Sequence, residues 1–177
     1  MVVLYALYFS VRTVGVHNGL GTSAYDFGLY DQGIWLMSRG HSPFVTLMGR
    51  NLFGDHSSFV LVLLIPLYWI FSSTSLLFVV QSIVVAIGAL PVYWFSRQRL
   101  RSEPLAAAMA GVYLLHPSIG WTNLENFHPD AALGTLVAGA IWAAYAGKWR
   151  WYWVAVVLAL SVKEDVAFVL APLGIWV

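Results

Sequence analysis

Apolar runs separated by two long polar stretches set the pattern of this chain. The first run, residues 2–16 (VVLYALYFSVRTVGV), is shorter than the roughly 20 residues a bilayer crossing needs. Arg12 lies near its end, where a long side chain can reach the interface along its aliphatic stem. Polar, glycine-rich sequence fills 17–57. Inside it, 25–38 (YDFGLYDQGIWLMS) has helical periodicity: Asp26, Tyr30 and Gly33 recur at i, i+4 and i+7 and share a face. Gly40 and Ser42-Pro43 stop it. A short helix over about 26–38 is expected at the membrane interface. Residues 58–71 (SFVLVLLIPLYWIF) are short and contain Pro66, and read as a second interfacial helix. Residues 75–96 are long enough to cross, with Thr74 or Ser75 as helix cap. Further spans are read at 104–122, with Pro104 in the first turn, at 131–146, at 151–162 and at 166–177. In 131–146, Gly134 with Ala138 and Gly139 with Ala143 permit close helix packing.

The pattern predicts an all-α, polytopic transmembrane helix bundle in one domain. Composition agrees: 60% of the 177 residues are hydrophobic and 10% charged, against roughly 45–50% and about 25% in soluble domains. Nine Trp supply interfacial belts, the expected role of the Trp/Tyr groups at 68–69, 93–94, 142–145 and 149–153. A net charge of +1 gives no electrostatic case for nucleic acid, and the absence of cysteine excludes thiolate chemistry. Met1 starts inside one apolar run and Val177 stops inside another, so the chain is expected to be part of a longer protein.

Charge sets the expected topology. Basic turns stay cytoplasmic, which places 97–103 and 147–150 inside. The polar stretches 17–57 and 116–130 (HPSIGWTNLENFHPD) are then outside only if an odd number of crossings separates 17–57 from Arg97. One of the two intervening apolar segments must fail to cross, and 58–71 is the natural choice. All five histidines and Asp26, Asp31, Asp55, Glu125 and Asp130 would share the outer face of the plasma membrane.

Several of these residues can carry chemistry. Asp26 can act as a general base or metal ligand, or cap the helix that follows. Asp55 is placed to cap 58–71, and the adjacent His56 can bind phosphate, metal or a sugar hydroxyl. Glu125 and His128 face the same compartment, and Asp130 can cap 131–146. Carboxylates and imidazoles from the two stretches (Asp26, Asp31, Asp55, Glu125, His128) could share a divalent cation. Lys163-Glu164-Asp165 interrupts apolar sequence, and intramembrane charge marks function by default. The run 151–162 rises about 18 Å, which puts the triplet at the floor of an outward cavity; an ion pair with a neighbouring helix or a tight outer turn is the plainer reading. Gln81 reads as interhelical glue, and Gly19-x-Gly21 as loop rather than nucleotide site.

The order of these motifs resembles the C-type (GT-C) membrane glycosyltransferases: Asp26 four residues before Tyr30, Gly54-Asp55-His56 before a short apolar segment, His116-Pro117 then Glu125 to Asp130, and Leu160-Ser161-Val162-Lys163-Glu164. YDFGLYDQGIW, GDHSS, NFHPDAAL and VKEDVAF together look most like a family of predicted polytopic bacterial and archaeal membrane proteins of unassigned function related to that superfamily. The resemblance covers nearly the whole chain as its N-terminal part. It implies a long first outer loop with juxtamembrane helices over an outward cavity, a polyprenyl-phosphate-linked sugar as donor, Asp26 as base or metal ligand, and a phosphate- and substrate-binding set of Tyr30, Arg50, His56 and Lys163. A divalent metal, Mg or Mn, would be the cofactor. The familiar Asp-Glu pair is Asp26-Phe27 here, leaving Asp31 as the stand-in for the second acid. A transporter or lipid-binding protein, with Lys163-Glu164-Asp165 lining a path, is the alternative, and a non-catalytic structural partner protein is a third reading.

Overall fold

A computed structural model describes residues 1–176. The chain is mostly helical. The first helix, α1 (Val2–Asn18), leads to α2 (Ala24–Ser38), and a two-stranded antiparallel hairpin follows, Phe44–Val45 with Arg50–Asn51. A 3-10 segment, Phe59–Leu64, runs into α3 (Ile65–Ile70). Then come α4 (Ser75–Ile87), α5 (Ala89–Leu100), α6 (Glu103–Leu115), α7 (Pro117–Glu125), a 3-10 turn at Pro129–Ala132, α8 (Leu133–Tyr145), α9 (Trp149–Leu160) and α10 (Val166–Trp176). The expected span 166–177 corresponds to α10; residue 177 lies outside the described residues.

Among the described residues one helix is long and apolar enough to cross a membrane by itself: Ser75–Leu100, 26 residues, with a mean hydropathy of 2.3 over its most apolar 18 residues. At 1.5 Å per residue it is about 39 Å long, more than the roughly 30 Å hydrocarbon core. It bends at Gly88, for two local reasons. Pro91 has no N–H to offer Ile87, one turn back. At Gly88 an added Cβ would stand 2.2 Å from the Tyr113 hydroxyl oxygen and 2.6 Å from Thr135 Oγ1. Those hydroxyls donate to the carbonyls of Val85 (3.1 Å) and Val84 (2.7 Å). Side chains of α6 and α8 thus bond carbonyls of the turn just before the break.

The other helices pack around this axis. The α1 helix lies antiparallel to α4: His17 Nε2 is 3.2 Å from Thr74 Oγ1, while Tyr5 packs with Val85, Ala86 and Ala89. Arg101 (φ +52°) turns the chain from α5 into α6, and Gly147 (φ +66°) from α8 into α9. The two basic turns meet at one end of the bundle, where the Arg99 guanidinium bonds the Tyr145 hydroxyl and Lys148 lies over the Trp142 ring. The α2–α3 region packs at the opposite end: Phe27, Ile34, Val45, Leu61 and Tyr68 share a core with Leu77 and Phe78 of α4. The segment 59–70 stays at that end rather than running along the axis.

Three expectations need correction. Residues 116–130 do not form a loop. Pro117 holds His116 extended (φ −63°, ψ 129°), as proline does to its predecessor, and the chain resumes as α7. Leu114 packs beside Tyr5 and Val85, part way along the axis, and the exposed His116 follows it on the outside of the bundle; the expected span 104–122 is a broken helix. The cap assignments also fail. The α2 helix starts at Ala24 after Ser23, which puts Asp26 in its first turn, a favourable place for a carboxylate beside the helix dipole. Ser58, not Asp55, precedes the 3-10 segment, and Asp130 lies within its own 3-10 turn and makes no cap bond to α8.

Large apolar side chains cover much of the outside. Leu4 is 73% exposed, Val157 61% and Phe168 84%. So much exposed apolar surface marks contact with something other than water.

Candidate functional site

The polar side chains of the α2–α3 end come from three segments distant in sequence. Phe53 N–H bonds the Asn51 side chain (3.0 Å), and the short turn that follows ends at Asp55, which ion-pairs with Arg50. The next residues reach across to the break between α9 and α10. His56 Nδ1 is 2.8 Å from Glu164 Oε1, and the Ser57 N–H (3.1 Å) and hydroxyl (3.3 Å) donate to Glu164 Oε2. The Val60 N–H donates to the Ser161 carbonyl (2.9 Å). The His56 bond, then backbone N–H bonds, hold the Glu164 carboxyl down at about 2, so it is ionised and His56 Nδ1 carries the bonding proton.

Lys163 points the other way. Its Nζ is 3.3 Å from Asp130 Oδ2 and 3.9 Å from Asp165 Oδ2. The Asp130 charge pushes the ammonium pKa up against the opposing effect of burial, so Lys163 stays a cation. The triplet therefore forms an ion pair with a neighbouring segment, the plainer of the two expected readings.

The α2 helix supplies the third part. Tyr30 lies one turn from Asp26, its ring 5.7 Å from Phe127 and 6.0 Å from His128. Burial first, then the charges of Asp130, Asp26 and Asp55, push its phenol up to about 12, leaving it a proton donor. Asp26 is half-buried, and among the described residues no side chain bonds or pairs with it. Gly33, on the same face, permits the hairpin to approach: a Cβ there would lie 2.5 Å from Leu52 Cδ2.

Other expected residues sit elsewhere. Asp31 turns to α3, where the Tyr68 hydroxyl donates to it at 2.8 Å; burial raises its pKa, opposed by that bond, and it does not join Asp26. Glu125 is exposed at the end of α7. Among the described residues no three His, Asp or Glu side chains gather as a metal site: Asp31 is committed to Tyr68, Asp55 to Arg50 and Asp130 to Lys163. The expected set of Asp26, Asp31, Asp55, Glu125 and His128 is thus not gathered around one point in this arrangement.

Beneath the site is a buried amide network. Gln81 donates to the carbonyls of Thr122 (3.1 Å) and Asn126 (2.9 Å) and accepts from the His128 N–H (2.9 Å). Ser82 donates to Asn123 (2.9 Å), which donates to Tyr5 (3.3 Å), and Asn126 donates to the Ser23 carbonyl (3.3 Å). The glue expected of Gln81 is real, and it fixes 126–128 and the start of α2. Sequence reading singled out His56 and the Lys163-Glu164-Asp165 triplet but did not pair Glu164 with His56 and Ser57; its placement in an apolar run was the available signal. Asn123 and Asn126 were missed because amides in a polar stretch look solvated.

This arrangement offers an unpartnered carboxylate, a protonated phenol and a lysine cation at one end of an apolar bundle. It suits proton abstraction from a hydroxyl next to an anionic group. No curated protein and no solved structure matches the chain. The family model described as a predicted membrane protein (DUF2079) matches residues 16–177, so the chain belongs to that family and is a membrane protein set in a lipid bilayer.

Proposed function

We propose that this protein is a multi-pass glycosyltransferase of the plasma membrane, moving a sugar from a polyprenyl-phosphate donor to an acceptor hydroxyl at its outer face. Asp26 takes the acceptor proton. The acceptor oxygen bonds the anomeric carbon, the bond from that carbon to the phosphate oxygen breaks, and the lipid phosphate leaves with the electron pair. Lys163, turned from Asp130 toward the leaving phosphate, stabilises its charge, and Tyr30 donates to the substrate. Arg50 and His56, tied to Asp55 and Glu164, shape the loop that covers the site. No step is routed through a metal.

The observation that carries this reading is the half-buried Asp26 carboxylate without a partner, one turn from a phenol held protonated. The neighbouring carboxylates are committed elsewhere, Asp31 to Tyr68, Asp55 to Arg50 and Asp130 to Lys163, which leaves Asp26 free to accept a proton. A small apolar cleft of about 80 Å³, lined by Val60, Leu64, Val80 and Val84 with His128 and Pro129, offers an apolar contact for the first carbons of a lipid carrier. The motif order resembling C-type glycosyltransferases supports the same chemistry.

The test is turnover of labelled polyprenyl-phosphate sugar by the full-length protein in proteoliposomes. Asp26→Asn is expected to lower the rate by about 10² to 10⁴, the usual worth of a general base, with donor binding kept. Unchanged turnover in that variant, or transport of the labelled lipid without a transferred sugar in the wild type, contradicts the proposal.

A further inference from the structure

The opposite end of the bundle holds a second site, unrelated to the chemistry above. Trp94, Arg97 and Gln98 of α5, Trp142 of α8, and Lys148 and Trp151 at the α8–α9 turn enclose a cleft of about 590 Å³. Trp94 and Trp142 pack with ring centroids 4.6 Å apart, and the Lys148 ammonium lies 4.8 Å from the Trp142 ring. Charge here is strongly one-sided. Arg97, Arg99, Arg101, Lys148 and Arg150 cluster at this end. Among the described residues the one acid paired to any of them is Glu103, 2.7 Å from Arg97.

Two further observations turn a basic end into a shaped site. The cleft continues into an apolar groove between α5, α8 and α9, which shares the walls Trp94, Trp142 and Trp151 and is lined onward by Ile87, Leu136, Val154 and Leu158. Gly139 lines it as well: a Cβ there would meet only Ala155, at 4.0 Å. In addition, the Trp142 indole N–H is buried with no partner among the described residues, a donor that calls for an acceptor. A cationic mouth with an indole wall, opening into an apolar slot along the helices, has the shape of one phospholipid.

We infer that this cleft binds an anionic phospholipid of the surrounding leaflet, its phosphate between Arg97 and Lys148 and an acyl chain in the groove. Basic pockets between membrane helices hold anionic headgroups. Retention of basic residues on the cytoplasmic side explains the charges, but not a cleft continuous with an apolar slot. The lipid would brace α5 against α8 and α9, which are themselves joined by a buried core that includes Ala140, Ala143, Ala155 and Ala159.

The full-length protein in detergent is titrated with fluorescent phosphatidylglycerol, then with phosphatidylcholine and inorganic phosphate as competitors. Phosphatidylglycerol is expected to bind, with neither competitor displacing it at equal concentration. Lys148→Gln should weaken binding about fivefold or more, as expected for one basic contact. Arg150→Gln, at the same end but outside the cleft, should leave it within about twofold. Gly139→Leu, which fills the groove without changing charge, should weaken it as well. Equal binding of both lipids, displacement by inorganic phosphate, equal effects of the two charge variants, or full binding by Gly139→Leu each overturns the inference.

Discussion

At the scale of single residues, Glu164 sets how the first loop is held. Its carboxylate takes the His56 imidazole and two Ser57 donors, so the loop over the candidate site is tied to the α9–α10 break by one ionised group. The folded pKa, about 2, lies below the ordinary glutamate value of 4.5. The stabilisation is therefore complete above about 4.5 and is lost as pH falls toward 2. Hydrogen exchange at the Ser57 amide should accelerate, relative to its intrinsic rate, as pH is lowered through that window, and Glu164→Gln should show the faster exchange already at neutral pH. A Ser57 amide equally protected in both proteins would contradict the tie. Sequence could mark Lys163-Glu164-Asp165 as anomalous because charge inside apolar sequence is rare. It could not name His56 as partner, since that contact joins residues 108 apart. The cap assignments failed for a related reason. A carboxylate near a helix start reads as a cap by spacing alone, yet Asp55 pairs with Arg50, five residues back, and Asp130 with Lys163, which only the folded chain brings near.

At the scale of elements, small residues decide where helices bend and how closely they pack. Gly88 sits at the bend between α4 and α5, where Tyr113 and Thr135 reach in to the carbonyls. Gly88→Ala would push into both hydroxyls and is expected to destabilise the protein by about 1–3 kcal/mol, as overpacking does. Gly139→Ala meets only ordinary contact with Ala155 and should change stability by less than about 0.5 kcal/mol. Thermal unfolding of the two variants in the same detergent checks the contrast, and equal losses would contradict it. Helix positions were legible because apolar run lengths and periodicity are local properties. Run length does not give local detail: the helix expected over 26–38 begins at Ala24, and the segment expected as one helix divides into the 3-10 stretch Phe59–Leu64 and α3. The break at His116 was less legible. His116-Pro117 signals a turn in any context, and only the packing of Leu114 against Tyr5 and Val85 shows that the turn lies part way along the axis.

At the scale of the whole molecule, the partition of charge is the organising feature. Asp26, Asp55, His56, His128, Asp130 and Lys163-Glu164-Asp165 gather at one end, and the arginine turn with Lys148 and Arg150 lies at the other, joined by a helix about 39 Å long. The proposed orientation, with 17–57 and 126–130 outside and 97–103 and 147–150 cytoplasmic, follows from that separation and the preference of basic turns for the cytoplasm. Both the proposed transfer chemistry and the proposed lipid site depend on it, because each needs its own leaflet. The chain has no cysteine, so single thiols can be introduced without background. The most direct measurement is labelling of intact cells with a membrane-impermeant maleimide, with His41→Cys and Arg101→Cys in the full-length protein. Labelling at position 41 from outside, and at position 101 only after the membrane is opened, is the predicted result. Labelling of both positions from the same side would contradict it.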